Sequence, residues 1–314
     1  MRFCAIDAGH RACDRFAPLR FAPHMLPRLI SGPKLIKGLA EIADGHDALI
    51  CDVWGVVHDG HRHHPAAADA LVRFKQKHGP VVLLTNAPRV PAEVAAQCAS
   101  YGLPPDCYDA IVSSGGAARD ELARLSTART LPLYYIGPDR DLPMIQGLNV
   151  SRTTIDQAEV VLAIGLRDDM TETVQDYDSE LAAMRERGLT MLCANPDLVV
   201  HRGEKLLYCA GALAQAYEAL GGSVTYYGKP HLPVYESALA LLGALLGHGP
   251  RRPLAVGDGL LTDIKGANVA GLEALFVADG VHGEDIAPYT EEHLAALFTR
   301  FGASAGSATR KLIW

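Results

Sequence analysis

Four places in the chain set a reactive side chain at the end of an apolar run. Ala48-Leu49-Ile50-Cys51 leads straight into Asp52, and Val81-Val82-Leu83-Leu84 leads into Thr85 and Asn86. Ser223-Val224-Thr225-Tyr226-Tyr227-Gly228 ends in Lys229, and Pro253-Leu254-Ala255-Val256-Gly257 ends in Asp258, with Asp263 five residues further on. A carboxylate at the tip of a buried run is costly unless a metal ion, a lysine or a reacting electrophile pairs with it. The other residues could supply that pairing. Paired acids suit a hard cation, and a lysine or hydroxyl suits an anion that a carboxylate attacks. Each residue also has an ordinary use. Thr85-Asn86 would cap a helix after a strand, and Asp52 or Asp263 would cap a helix or turn. Lys229 before Pro230 would lie on the surface, and Asn195-Pro196-Asp197 would form a turn.

The apolar runs, bounded by Gly and polar residues, read as buried strands of a parallel sheet, whose carboxyl ends are where ligands bind. Residues 1–30 show no clean period and read as an N-terminal arm; Leu35 to Ala43 has the spacing of a short amphipathic helix. Gly55 lets the backbone turn after Trp54. His58, Asp59, His61, His63 and His64 follow, with no Cys and no helical i, i+4 pair, so a solvated flap over the site is expected rather than a metal centre. Pro65 opens a helix that ends near Gly79, Pro91 to Tyr101 is the next, and Tyr108 to Ser114 is a strand leading into a helix to about Leu125. This alternation is that of a doubly wound α/β sheet. A second α/β unit follows, with strands at Pro132–Gly137, Val160–Gly165 and Thr190–Ala194 and helices at Tyr177–Arg187 and Gly211–Leu220. Pro233–Leu246 and Asp263–Ala270 read as helices, Glu273–Val277 as a strand, and the last thirty residues as helical and then irregular.

In chain order, Asp52, Thr85, Lys229 and Gly257-Asp258-x-x-x-x-Asp263 resemble the four motifs of the haloacid dehalogenase (HAD) superfamily, over roughly residues 35–285. The spacing is similar to its class IIA branch, in which a large C2 cap is inserted between the second and third motifs. That branch includes sugar-phosphate, nitrophenyl-phosphate and pyridoxal-phosphate phosphatases. The resemblance implies an α/β fold with a doubly wound parallel-sheet core over 31–127 and 224–314 and an inserted α/β cap domain over 128–223. It implies a Mg2+-dependent phosphatase for a small phosphorylated substrate such as a sugar phosphate. Asp52 would attack phosphorus and form an aspartyl-phosphate. The Asp52 carboxylate, the backbone carbonyl of Trp54 and the Asp258 carboxylate would hold Mg2+, with Asp263 close by. Lys229 would hold a phosphoryl oxygen, Thr85 would donate its hydroxyl with Asn86 beside it, and Asn195 and Asp197 would face the substrate from the cap. A homodimer through the cap is common among similar proteins.

One residue departs from the pattern. Relatives carry a second Asp two positions after the nucleophile, which protonates the leaving group and activates water; Trp54 stands there. Indole offers one N–H and does not exchange protons near neutral pH. Losing a general acid–base costs about 10²–10⁴ in rate, so weak activity is expected unless another group, Asp59 or a flap histidine, takes over. Two other readings stand beside the phosphatase. A dehalogenase-like enzyme would displace halide at carbon, and its relatives carry Tyr-Gly where Trp54-Gly55 lies, but it needs no metal and leaves the Asp258/Asp263 pair unexplained. A non-catalytic protein would keep the site to bind a phosphorylated ligand.

Bulk properties narrow the field. The 314 residues allow one large or two moderate domains, and 49% apolar with 21% charged residues is ordinary globular composition. The net charge of −7, without a basic block, argues against nucleic acid as a partner. No apolar run reaches a membrane span, and Met1–Asp7 lack the order of a signal peptide. Seven cysteines without Cys-x-x-Cys spacing point to reduced thiols and a cytoplasmic setting, with Cys51 and Cys193 as small core residues.

Overall fold

The computed structural model describes residues 32–202, 205–281 and 286–314. The expected N-terminal arm over 1–30 lies outside the described residues. In chain order the strands are β1 (Lys34–Leu35), β2 (Ala48–Asp52), β3 (Val81–Thr85), β4 (Ala110–Ser113), β5 (Leu131–Ile136), β6 (Val150–Arg152), β7 (Val160–Ala163), β8 (Thr190–Cys193), β9 (Val199–Arg202), β10 (Lys205–Tyr208), β11 (Ser223–Tyr226), β12 (Pro253–Gly257), β13 (Glu273–Val277) and β14 (Ser307–Thr309). The helices are α1 (Pro65–Lys77), α2 (Pro91–Ser100), α3 (Ser114–Leu125), α4 (Asp178–Glu186), α5 (Ala210–Ala219), α6 (Leu232–Leu246), α7 (Lys265–Val269) and α8 (Glu291–Phe301).

The first sheet runs β1-β14-β13-β12-β2-β3-β4 with every pairing parallel. Every residue of β2 and β3 is buried. Successive side chains point to opposite faces, so Leu49 and Cys51 pack with Leu71 and Phe74 of α1, while Ala48 and Ile50 pack with Val234, Tyr235 and Ala238 of α6. Cover on both faces is why these strands read as unbroken apolar runs rather than as alternation. β12, β2 and β3 are neighbours in register, with Ile50 beside Ala255 on one side and Val82 on the other. Their carboxyl ends therefore emerge together.

The second sheet, β11-β8-β7-β5-β6, is also parallel throughout. α4 and α5 cover one face through Leu181, Met184, Leu213 and Tyr217, and α3 covers the other through Ala117, Ala118 and Leu122. β9 and β10 form an antiparallel hairpin apart from both sheets. Among the described residues, no helix is long and apolar enough to cross a membrane.

Three expectations are corrected. The strand that leads to Lys229 does not return to the first sheet at residue 224: β11 pairs with β8, Val224 beside Met191, so the chain crosses over after Tyr226. Leu35–Ala43 is not an amphipathic helix. The Ile36 amide is held by the Ala308 carbonyl at 2.9 Å, and only 3₁₀ turns at Leu39–Glu41 and Ala43–Gly45 follow. The C-terminal stretch is not irregular after α8, because β14 sits between β1 and β13. The chain then ends with Trp314 packed 5.9 Å from the ring of His78 at the end of α1.

Candidate active site

The carboxyl ends of β2, β3 and β12 carry Asp52, Thr85 and Asp258 to one edge of the first sheet, and the segment after β11 brings Lys229 to the same place. All four are buried, as are Asn86 and Asp263; Lys229 is 4% exposed, which removes the reading of it as a surface residue. Its Nζ bonds Asp52 Oδ1, Asp263 Oδ1 at 2.7 Å and the Leu84 carbonyl at 3.4 Å. Carboxylate oxygens of Asp52, Asp258 and Asp263 lie within 4.8 Å of one another. One ammonium against three carboxylates leaves two negative charges unbalanced in a buried place. Burial alone would lower Lys229, but Asp263 and Asp52 outweigh it and hold the amine well above its ordinary value. Burial pushes Asp52 well up, Asp263 and Asp258 add to the rise, and Lys229 opposes it. Asp258 is pushed up to about 6 by burial and by Asp263, with the Val281 amide, 2.7 Å from its Oδ2, working the other way.

The local backbone explains the close packing. Gly55 has φ +87°, and a Cβ there would lie 2.1 Å from Asp258 Oδ2, so the Trp54–Gly55 backbone passes directly against that carboxylate. After β12 the chain makes a single π-helical turn over Leu260–Ile264, in which the Ile264 amide reaches the Gly259 carbonyl at 3.0 Å. That turn aims Asp263 back at the sheet, where its Oδ2 accepts the Gly259 amide at 3.0 Å. Asp263 therefore does not cap α7, which starts at Lys265 with Ile264 in the cap position. Thr85 and Asn86 cap no helix either, since α2 starts at Pro91 behind Val90. The Thr85 hydroxyl accepts the Ala87 amide at 3.2 Å and keeps its own proton to donate.

Asn86 joins three parts of the chain. Its Oδ1 accepts the Lys229 amide at 2.7 Å, and its Nδ2 donates to the Lys229 carbonyl at 3.1 Å and to Asp197 Oδ1 at 2.8 Å. Asn195-Pro196-Asp197 does form a turn, the Asp197 amide donating to Asn195 Oδ1 at 3.1 Å, and the same turn brings the end of β8 against the first sheet. Gly228 permits the approach: a Cβ on it would lie 2.5 Å from Pro196 Cδ and 2.6 Å from Asn86 Oδ1.

The histidine tract is a solvated flap only in part. His58 is buried, edge-to-face with Tyr101 at 4.9 Å, and its backbone bridges to Trp54 and His63, while His61 and Arg62 remain exposed. Among the described residues the tract gathers no metal-binding set. Trp54, whose neighbour Gly55 passes against Asp258, is 46% exposed. Two further contributors carry no signal in the sequence. Tyr235, on the apolar face of α6, donates its hydroxyl to the Asp263 carbonyl at 3.1 Å. The Val281 amide on Asp258 is a backbone group that no residue type announces.

The donor set fits a hard divalent cation: three buried carboxylates, oxygen only, with more negative charge than Lys229 balances. Comparison with known proteins agrees. A haloacid dehalogenase-like hydrolase model matches residues 49–151, and a HAD-hydrolase-like model matches residues 226–301. The D-glycerol 3-phosphate phosphatase of Mycobacterium tuberculosis is 30% identical over 256 residues, covering 81% of this chain and 69% of that one. A crystal structure of a haloacid dehalogenase-like hydrolase from Brucella suis is 37% identical with a TM-score of 0.75, over 89% of this chain and 100% of that one. The glycerol phosphate phosphatase of M. tuberculosis in complex with magnesium is 28% identical with a TM-score of 0.61, over 80% and 73% of the two chains. A relative at 30% identity over most of both chains, with family models over residues 49–151 and 226–301, makes this chain a member of the haloacid dehalogenase-like hydrolases.

Proposed function

We propose that the chain is a Mg2+-dependent phosphatase that hydrolyses a small phosphate monoester through an aspartyl-phosphate on Asp52. The observation that carries this reading is the buried cluster of Asp52, Asp258 and Asp263 around Lys229. In this reading Asp52, Asp258 and the Trp54 carbonyl hold Mg2+, with Asp263 beside them, and the ion supplies positive charge where a carboxylate meets a phosphate. Asp52 is the nucleophile. Lys229 keeps it ionised and binds a phosphoryl oxygen, and the Thr85 hydroxyl donates to another. Asn86 holds the Lys229 backbone in place, and Asn195 and Asp197 shape the side of the pocket facing the rest of the substrate. A dehalogenase would have no use for the second and third acids.

The relatives named for glycerol phosphate make a phosphorylated polyol or sugar the substrate class to try first. A homodimer through the second α/β unit fits the apolar side chains exposed on and beside the β9–β10 hairpin: Leu198, Val199, Val200, Leu206 and Tyr208. A reducing, cytoplasmic setting suits Cys51, Cys98, Cys107, Cys193 and Cys209, all free and buried. The test is p-nitrophenyl phosphate hydrolysis by the wild type with Mg2+, with EDTA, and by Asp52→Asn. Turnover that vanishes with EDTA and falls on the order of 10⁶ in Asp52→Asn, as for deletion of a nucleophile, is expected. Turnover indifferent to both would sink the reading. Phosphate raising the melting temperature with no turnover would make the chain a binding protein instead.

A further inference from the structure

Breaking the bond between phosphorus and an alcohol oxygen leaves an alkoxide, which needs a proton to depart. Trp54, on the loop directly after Asp52, has no group that trades protons near neutral pH. Two other polar groups of that loop are in the wrong protonation state. Asp59 is exposed; its Oδ1 accepts the amides of Arg62 and His61, each at 2.9 Å, and these bonds hold its carboxyl down at about 2. It is ionised at neutral pH and has no proton to give. His58 is buried, its Nδ1 lies 3.1 Å from the Gly60 amide that donates to it, and burial lowers its proton affinity, so its ring is neutral.

Asp197 differs in placement and in the direction in which its surroundings push it. It reaches the site from the end of β8, where its Oδ1 accepts Asn86 Nδ2 at 2.8 Å. The Asn86 amide cannot be reversed. Its Oδ1 faces the Lys229 N–H, which can only donate, and its Nδ2 also serves the Lys229 carbonyl. A proton on Asp197 therefore belongs on Oδ2, the oxygen that Asn86 does not engage. Asn86 follows Thr85 directly and holds the backbone of Lys229, whose ammonium binds Asp52, so Asp197 is tied through Asn86 to the residues assigned to the phosphoryl group. Burial raises this carboxyl, against Asn86 and Lys229, and the Asp263 charge adds to the rise.

We propose that Asp197 is the general acid and base of this site, protonating the leaving alcohol and then deprotonating the water that frees Asp52. The proposal rests on the phosphatase reading above. In the first step the bond from Asp52 to phosphorus forms and the bond from phosphorus to the ester oxygen breaks. The electron pair goes to that oxygen, the proton on Asp197 Oδ2 moves to it, and the alcohol leaves. In the second step water attacks the phosphorus of the aspartyl-phosphate and its proton passes to Asp197 Oδ2. The bond from phosphorus to Asp52 breaks with its pair returning to the carboxylate, and inorganic phosphate departs. Both side chains end as they began.

The experiment compares wild type and Asp197→Asn, with Mg2+, on p-nitrophenyl phosphate and on glycerol 3-phosphate. Asn keeps the shape and can still accept from Asn86. p-Nitrophenolate leaves without a proton, so the first step survives in the variant while the second does not. The expected result is a burst of about one nitrophenolate per active site, then a steady rate about 10²–10⁴ below wild type. Glycerol 3-phosphate turnover falls by at least as much, with KM little changed. If Asp197→Asn melts below the assay temperature, Asp197→Ser, which also removes the carboxyl, is read in the same way. A variant that turns over either ester at the wild-type kcat, or whose loss is confined to KM, overturns the role of Asp197. A wild type silent on every phosphate ester overturns the phosphatase reading and this proposal with it, and an active wild type beside an equally active variant overturns this proposal alone.

Discussion

Lys229 faces more negative charge than one ammonium can balance, and that imbalance has a measurable sign. Burial and Asp263 raise the Asp258 carboxyl from 3.8 to about 6 in the folded chain. A carboxyl raised on folding contributes stability that is complete below its unfolded value and lost as pH rises through the folded one. The metal-free protein is therefore penalised above about 6, where Asp258 must ionise against its neighbours. A cation that binds the carboxylate removes that penalty. The difference in melting temperature between Mg2+ and EDTA should be small below about pH 5 and grow as pH rises through about 6. A difference independent of pH would rule out Asp258 as a ligand. At this scale the sequence was informative wherever a residue ended a local apolar run: Asp52, Thr85 and Asp258 come to one edge from the ends of β2, β3 and β12, and Lys229 joins them from the segment after β11. It named Asn86 but was silent on its partners, which lie 111 and 143 residues away, and on the Val281 amide. Such contacts depend on how distant segments pack, which no local pattern encodes.

The strand ends converge because parallel pairing puts β12, β2 and β3 side by side with their carboxyl ends at one edge. Those strands were legible because cover on both faces demands apolar residues at every position. β11 was legible as a strand but not as a member of the second sheet, because its half-buried pattern suits an edge of either one. The two-residue β1 and three-residue β14 are too short to show any period, and the β9–β10 hairpin exposes apolar side chains. The crossing from β11 to α6 is a tight join between the two sheets, with Gly228 against Pro196 and Asn86. Gly228→Ala should force Pro196 and Asn86 apart and cost about 1–3 kcal/mol, as overpacking does. It should also lower turnover by displacing the Asn195–Asp197 turn. Wild-type melting together with wild-type turnover would show that the join yields more readily than the 2.5 Å approach suggests.

For the whole molecule, the β9–β10 hairpin begins two residues after Asp197, so whatever covers its apolar face also steadies the turn that reaches Asn86. Leu206 is 55% exposed there, and Leu206→Glu should convert a dimer to a monomer by light scattering, with a rise in KM. A wild type that is already monomeric at assay concentrations would remove the dimer from the account. The two sheets were legible as two α/β units; the way they lock together was not, because it rests on contacts between distant segments, Asn86 with Asp197 and Lys229, and Gly228 against Pro196. The exposed indole of Trp54 has a practical consequence as well. The chain has two tryptophans, and the other, Trp314, is packed against His78 at the C-terminus. Intrinsic fluorescence thus comes from one solvent-facing probe on the loop directly after Asp52 and one fixed reference. Adding Mg2+ with orthovanadate should shift the emission of the wild type and leave Trp54→Phe unchanged, giving a label-free readout of site occupancy that needs no knowledge of the natural substrate.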